Sequence, residues 1–189
     1  MAEYKLIAEP PLAGYDETFG NVRLVSPADF ALVSIALPLG DEAKALKAIK
    51  TGYGVDVPEV GHSAISKDGN ARLLRMAQDQ AFVVFTHDQP DAAAIVAKRV
   101  KAAVYVTDQT DVWTALHLSG ASSRHALERI CPIDLHADVF AEGHVARTVM
   151  EHLGVMVVRD AQDSFVLLSA SSSAGSFLHA VETSIRNVM

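Results

Sequence analysis

The chain has 189 residues, of which 50% are hydrophobic and 21% are charged, and its formal net charge is −7. This composition excludes an intrinsically disordered protein, and no apolar run reaches the roughly 18 to 20 residues that a membrane-spanning helix requires. Because Lys and Arg residues are scattered through an acidic chain, the charge pattern also argues against a nucleic-acid partner.

Cys131 is the single cysteine, which excludes an internal disulfide and any metal or redox motif built on two thiols. The first residues contain no basic segment followed by an apolar block, so we expect no secretory signal and a cytoplasmic location. The mean hydropathy is positive. Such a surplus of apolar residues indicates either a well-filled interior or an apolar face that binds a partner.

The first half of the chain predicts an extended arm followed by an α+β unit. Three prolines, two glycines and no sustained hydrophobic period predict the arm over residues 1–28. Hydrophobic runs and helical spacing then predict a strand, a helix, two strands and a second helix. Their bounds are 31–37, 41 or 42 to 50, 72–76, 81–86 and from Pro90 onward.

The second half repeats this order from residue 112. A strand is followed by a helix that Ser122 can cap and that Pro132 ends, because proline lacks the N–H group that a helix interior needs. Three strands and a final amphipathic helix complete the chain. The bounds are 112–119, 122–130 for the helix, 145–149, 154–159 and 164–168 for the three strands, and 172–188 for the final helix.

A weak internal repeat relates the two halves. Residues 45–49 match residues 126–130 at an offset of 81, and Ala77-Gln78-Asp79 matches Ala161-Gln162-Asp163 at an offset of 84. This repeat predicts an α+β fold of two pseudo-symmetric split βαβ (ferredoxin-like) units packed about a pseudo-twofold axis. The expected boundaries are an arm over 1–28, a first unit over 29–108 and a second unit over 109–189, and the two units can form one compact domain.

Motifs that hold nucleotides or metals are absent from the sequence. A dinucleotide site needs GxGxxG between a strand and a helix, and neither this run nor a Walker lysine loop occurs. His136, His144 and His152 are spaced by eight residues, which does not place them on adjacent helical turns, and no HExxH accompanies them. We therefore predict no metal-binding and no cofactor-binding residue in this chain.

Candidate nucleophiles are equally isolated. Cys131 and His125 are six residues apart, a spacing that does not bring a base beside a thiol on one helix. The run Gly120-Ala121-Ser122-Ser123 lacks the GxSxG elbow that exposes a catalytic hydroxyl. We predict no catalytic residue and no self-contained active site.

The second half contains a series of distinctive runs, which are Trp113 to Gly120, Ala126-Leu127, Cys131-Pro132-Ile133-Asp134-Leu135-His136, Phe140, Gly143, Ala146-Arg147-Thr148, Arg159 and Asp163-Ser164-Phe165. These runs resemble the sarcosine oxidase gamma family, and the resemblance covers about residues 104–188. The six residues from Cys131 to His136 are the most specific part. In the first half, residues 77–82 stand where the family has a Gly-Pro-Asp-Glu-Trp-like turn, so the chain resembles a divergent member.

This resemblance implies a fold like that of the folate-binding aminomethyltransferases and a non-catalytic role in heterotetrameric sarcosine oxidase. The family complex oxidatively demethylates sarcosine to glycine and passes the one-carbon unit to tetrahydrofolate, with hydrogen peroxide as co-product. Its FAD, FMN, NAD and tetrahydrofolate are held by other subunits. The implied partners are the alpha, beta and delta subunits, chiefly the folate-binding half of alpha, and we expect self-association when the chain is isolated.

A partner interface is expected in the stretch that carries the resemblance. Trp113 is either a core residue or an anchor of that interface. Two alternative functions are a free-standing folate-binding, aminomethyltransferase-like protein and an unrelated homodimeric interaction module. The expected interface residues are Trp113, Cys131, Pro132, Asp134, Leu135 and Phe140.

Overall fold

The computed structural model describes residues 9–189. Within these residues the chain forms eleven β-strands and four α-helices. The strands are β1 (Asp16–Phe19), β2 (Val22–Val25), β3 (Phe30–Ala36), β4 (His62–Ile65), β5 (Ala71–Arg75), β6 (Gln80–Thr86), β7 (Tyr105–Asp108), β8 (Trp113–Ser119), β9 (Val145–Met150), β10 (Leu153–Ala161) and β11 (Ser164–Ala170). The helices are α1 (Glu42–Tyr53), α2 (Ala92–Arg99), α3 (Ser123–Glu128) and α4 (Ala174–Arg186), and 3₁₀ turns span Thr110–Val112 and Ser171–Ser173.

The strands form two antiparallel sheets with the same internal order. The first sheet runs β4-β5-β6-β3-β7, and the second runs β9-β10-β11-β8-β2-β1. In each sheet the strand before the first helix of its unit, β3 or β8, lies between the last strand of a three-stranded meander and a further strand. The predicted α+β fold of two pseudo-symmetric units is therefore confirmed.

The further strand comes from a different place in each unit. In the first unit it is β7, which follows α2 along the chain. In the second unit it is β2, which pairs with β8 and comes from the region predicted to be an extended arm. Residues 16–25 of that arm thus form a hairpin of the second sheet, and residues 1–8 lie outside the described part of the chain.

The central strands are apolar on both faces because each sheet is covered on both sides. On β10, Val155 and Val157 pack against the helices of the second unit, whereas Met156 and Val158 face the first sheet. Leu32 of β3 packs into that same cluster from the opposite sheet. The layers are therefore helices, sheet, sheet and helices, and the two inner faces share one core.

The two sheets also meet at their edges about a pseudo-twofold axis. Ser63 N donates to Gly143 O at 2.6 Å, and Val145 N donates to Gly61 O at 2.8 Å. The rings of His62 and His144, 82 positions apart in the sequence, meet edge to face between these bonds at 4.5 Å. Gly61 and Gly143 both have φ of +83°, a conformation that favours glycine.

Three predicted helix ends differ from the structure, and one of them is that of the final helix, which was predicted over 172–188 and ends at Arg186. The helix predicted to end at residue 50 continues to Tyr53 and includes Gly52. Position 52 requires glycine because a Cβ there would be 2.6 Å from the Arg99 carbonyl oxygen. Gly54, with φ of +72°, ends the helix instead. The helix predicted over 122–130 ends earlier, at Glu128.

Four strands, β1, β2, β4 and β7, were not predicted. Each has four residues, which is too short for a clear alternation of apolar and polar side chains. β1 and β4 pair with the next strand across a turn. β2 pairs with β8 and β7 pairs with β3, and these partners are distant along the chain. None of the helices over residues 9–189 is long and apolar enough to cross a membrane.

We propose that the boundaries at 28/29 and 108/109 separate two units of one compact domain. The whole first sheet lies between residues 30 and 108, which supports this division. The hairpin of residues 16–25 belongs structurally to the second unit, although it precedes the first along the chain.

We expect the substitution Leu24→Ala to lower the free energy of unfolding by about 2–5 kcal/mol, as for other fully buried leucines. Leu24 is 0% exposed in the core beneath α3 and α4. Urea denaturation would measure the change, with the exposed Glu17→Ala of the same hairpin as a control that stays within about 0.5 kcal/mol. Equal effects of the two substitutions would show that the hairpin is not part of the core.

Candidate functional site

The six residues expected at a partner interface divide into core and surface. Three are core side chains, and three reach the surface at least in part. The core residues are Cys131 and Phe140, each 7% exposed, and Leu135, 0% exposed. The residues that reach the surface are Pro132, Asp134 and the half-buried Trp113.

Trp113 lies at the start of β8, on the rim of the core between the sheets. Its ring meets Phe82 edge to face with the centroids 6.4 Å apart, and its Nε1 donates to Gln109 Oε1 at 3.3 Å. The indole therefore packs against the core and keeps part of its surface accessible. Both roles considered for Trp113 are compatible with this position.

A buried guanidinium fixes the loop that carries the most specific part of the resemblance. Arg159 is 2% exposed, and its Nη1 donates to the carbonyl oxygens of Leu135 at 3.1 Å and Phe140 at 2.8 Å. Its Nη2 donates to the carbonyl of Gln162, and the group lies 5.3 Å from the centre of the Phe165 ring. The loop from residue 131 to 143 is thus held by hydrogen bonds to one side chain.

The first unit contains the same arrangement 84 positions earlier. Arg75 Nη2 donates to the Gln78 carbonyl at 2.8 Å, as Arg159 does to that of Gln162. Arg75 Nη1 donates to the Pro58 carbonyl at 3.1 Å, but this side chain is only partly buried. The repeat at Ala77-Gln78-Asp79 therefore includes an arginine that donates to the glutamine carbonyl of the turn in both units. This arginine is fully buried only in the second unit.

A groove with a volume of about 460 Å³ lies between α4, the end of α3 and the β9–β10 turn. In the first unit the last turns of α1 occupy the corresponding place, and the Tyr53 ring packs 4.4 Å from the Arg99 guanidinium. α3 has six residues whereas α1 has twelve, so the second unit leaves this space open. The groove is a consequence of the early end of α3.

The lining of this groove combines an apolar floor with polar groups. Ile130 and Leu153 lie among the apolar residues, and Arg129, His152 and His179 supply polar atoms. An adjoining groove of about 400 Å³ shares Arg129 and Ile130 and extends to Pro132. Of the exposed residues expected at the interface, Pro132 therefore lines the second of these grooves.

A second polar cluster lies at the end of the space between the sheets. His117 of β8 places its Nε2 2.7 Å from Ser164 Oγ and 3.2 Å from Asp160 Oδ2. A serine triad needs the hydroxyl and the carboxylate on opposite ring nitrogens, and here both approach the same one. These three side chains do not form a proton relay.

The cluster nevertheless shifts the pKa of the Asp160 carboxylate. Burial raises the pKa of Asp160, but hydrogen bonds with His117 and Ser164, and the nearby charges of His117 and Arg72, outweigh burial and hold the pKa below its ordinary value. His117 and Ser164 lie in runs that carry the resemblance, but none of the three residues was predicted as a site residue. The available signal was His117, a polar residue at an inward position of a predicted strand.

The sequence candidates for metal and nucleophile chemistry are dispersed. His152 lies in the β9–β10 turn, His144 contacts His62, and His136 is exposed. Over residues 9–189, no group of three His, Cys, Asp or Glu side chains is arranged to hold a metal ion. Burial raises the pKa of the Cys131 thiol, against hydrogen bonds with the Ile133 backbone and Thr148, so the thiol is neutral near pH 7.

Comparisons with known proteins bear on the predicted resemblance. No protein-family model matches the chain. Sarcosine oxidase subunit gamma from Corynebacterium sp. (strain P-1) is 26% identical over 162 residues, which cover 86% of this chain and 79% of that protein. The resemblance to the sarcosine oxidase gamma family is confirmed.

Two solved structures share the fold. Heterotetrameric sarcosine oxidase from Corynebacterium sp. U-96, in complex with pyrrole 2-carboxylate, contains a chain that superposes with a TM-score of 0.76 at 20% identity over 88% of this chain and 84% of that chain. Glycine cleavage system aminomethyltransferase T from Bartonella henselae superposes with a TM-score of 0.64 at 16% identity over 85% of this chain. This chain spans 45% of that enzyme, so the likeness concerns the fold alone.

We expect Arg159→Met to destabilise this relative of the gamma subunit by about 1–3 kcal/mol for each carbonyl group that stays buried without a donor. Urea denaturation would measure the loss, and amide exchange would show faster opening over residues 131–143. Arg75→Met is the matched control, because water can replace the partly exposed Arg75. A loss no larger than that of Arg75→Met would contradict the proposed role of Arg159.

We expect His117→Ala to raise the pKa of Asp160, because burial then acts with less opposition. A carboxylate with a depressed pKa stabilises the fold above its unfolded-state pKa of about 3.9, and this contribution is lost as the pH falls through the lower folded-state value. The variant therefore loses this contribution at a higher pH than the wild type does. Carboxyl ¹³C titration by NMR would measure the shift, and an unchanged Asp160 resonance would refute it.

Proposed function

We propose that this chain is a non-catalytic gamma subunit of a heterotetrameric oxidase that demethylates sarcosine or another N-methyl amino acid. The observation that carries the proposal is the likeness to a protein named sarcosine oxidase subunit gamma across both halves of the chain. The shared fold with a heterotetrameric sarcosine oxidase supports it.

In this proposal the partners are the alpha, beta and delta subunits in the cytoplasm. They hold FAD, FMN, NAD and tetrahydrofolate, and this chain packs chiefly against the folate-binding half of alpha. The reaction yields glycine and hydrogen peroxide and transfers the one-carbon unit to tetrahydrofolate. The polar groups of the described residues fit a supporting role, because Arg159, Arg75 and Ser123 bond to the chain's own carbonyl groups.

We further propose that partner contact includes the exposed Pro132 and Asp134. Pro132 lines one groove of the second unit, and both residues belong to the loop whose Leu135 carbonyl accepts a hydrogen bond from Arg159. A rigid loop loses little conformational entropy on association, which favours its use in a stable interface. Cys131, Leu135 and Phe140 contribute by shaping this loop from the core.

We expect the tagged chain to co-purify flavoprotein subunits when it is expressed with the chains encoded beside it. The isolated chain should self-associate and should form no hydrogen peroxide from sarcosine, whereas the assembled complex should form it. Absorption spectra would detect the flavins of captured subunits, and a coupled peroxidase assay would measure the hydrogen peroxide that the isolated chain and the complex form. Turnover of sarcosine by the isolated chain, or its binding of tetrahydrofolate at micromolar concentration, would instead favour the free-standing folate-binding alternative.

We expect Pro132→Arg to weaken capture of the partner subunits by about tenfold or more, since a charge placed in a desolvated interface is costly. Ala94→Arg, at an exposed position on α2 in the other unit, is the matched control and should leave capture unchanged. Quantitative co-purification at fixed expression would compare the two variants. Equal capture by both would remove Pro132 from the interface.

A further inference from the structure

The strand β7 ends the first sheet with an unpaired edge. Gln109 N donates to Leu32 O at 2.9 Å, so the alternation of an antiparallel pair directs the backbone groups of Thr107 and Tyr105 toward β3 as well. The N–H and C=O groups of Val106 and Asp108 then point away from the sheet. Within residues 9–189, no strand lies beyond β7 to receive them.

The second unit shows what covers the equivalent edge. There β2 takes the position of β7, and β1 pairs with the outer side of β2 in antiparallel register from Asp16 opposite Val25 to Phe19 opposite Val22. The second sheet therefore has six strands where the first has five. Because the units share their strand order, β1 indicates the geometry of a strand that would complete the first sheet.

At β4, at the start of β9 and on β1, contacts or charges limit pairing with a further strand. β4 and the start of β9 bond to each other through Ser63 and Val145. β1 carries two acidic residues and an Asp16–Arg23 ion pair, which discourage further pairing. β7 has the sequence Tyr-Val-Thr-Asp, in which three of four residues favour strands.

Large apolar side chains are exposed on this edge strand and in the turn that follows β3. Tyr105, the first residue of β7, is 69% exposed and pairs with Ala36. Leu39, three residues after Ala36, is 99% exposed in the turn before α1. Exposed apolar groups beside open backbone groups are the combination that recognises an extended peptide.

We propose that β7 accepts an antiparallel strand from another subunit, which completes the first sheet as β1 completes the second. This inference rests on the proposed role as a subunit of a hetero-oligomer. The added strand bonds to the backbone groups of Val106 and Asp108 and packs an apolar side chain against Tyr105.

The substitution Val106→Pro tests the backbone contact. It removes an N–H that β3 does not use, and proline is tolerated on an edge strand where the N–H faces outward. Val106→Ala is the matched control, since it also removes the valine side chain but keeps the N–H. We expect Val106→Pro to reduce capture of the partner subunits by about tenfold relative to Val106→Ala.

A second variant tests the same edge without changing the backbone, in case Val106→Pro unfolds the protein. Thr107→Lys leaves the backbone intact and places a charge at an exposed position of the edge, whereas Thr18→Lys does so on β1. We expect only Thr107→Lys to weaken capture. In the assembled wild-type complex, the amides of Val106 and Asp108 should exchange at least about tenfold more slowly than in the isolated chain.

The outcomes separate this inference from the proposed function. Capture of flavoprotein subunits that both β7 variants leave unchanged overturns the inference and leaves the subunit role intact. Absence of capture by the wild type overturns both. If Val106→Pro instead converts a homodimer of the isolated chain into a monomer, the strand comes from a second copy and the inference is wrong.

Discussion

The reciprocal backbone bonds between Ser63 and Gly143 and between Val145 and Gly61 set the relation of the two units. They place the β4 and β9 edges against each other, and the His62–His144 contact marks the axis between them. Once the edges are joined, the inner faces of both sheets must cover each other. The central strands consequently need apolar residues on both faces, which accounts for the continuous hydrophobic runs of β3, β6, β8, β10 and β11.

The same constraint explains which elements the sequence predicts. Strands buried on both faces form apolar runs that stand out, and the stripe of Phe177, Val181 and Ile185 identifies α4. The short edge strands β1, β4 and β7 contain no fully buried residue, so their pattern is weak. The hairpin of residues 16–25 is harder still to predict, since its core contacts are with β8, about a hundred residues later.

The candidate sites were predictable to a smaller extent. The stretch from Cys131 to His136 was identified through resemblance. Some of its side chains are buried and others are exposed. Because the loop is irregular, no hydrophobic period distinguishes the buried residues from the exposed ones. The cluster of His117, Asp160 and Ser164 joins three strands, and His117 is more than forty residues from the other two. Arg159 follows an apolar run, and only the folded loop reveals that its donors meet buried carbonyl groups.

The duplication also supplies an internal comparison, because two copies of one design separate what the fold requires from what has been added. Both copies keep the arginine that binds the turn carbonyls, the glycine at φ of +83° and the strand order, so these features belong to the fold. The copies differ where α3 ends early and where β7 lacks a neighbour. Neither difference stabilises the fold of the isolated chain, since the short α3 leaves a groove open and the edge strand β7 leaves backbone groups unpaired. Such departures are expected at surfaces whose stability is completed by another molecule, which is the physical reason to seek the partner contacts of this chain there.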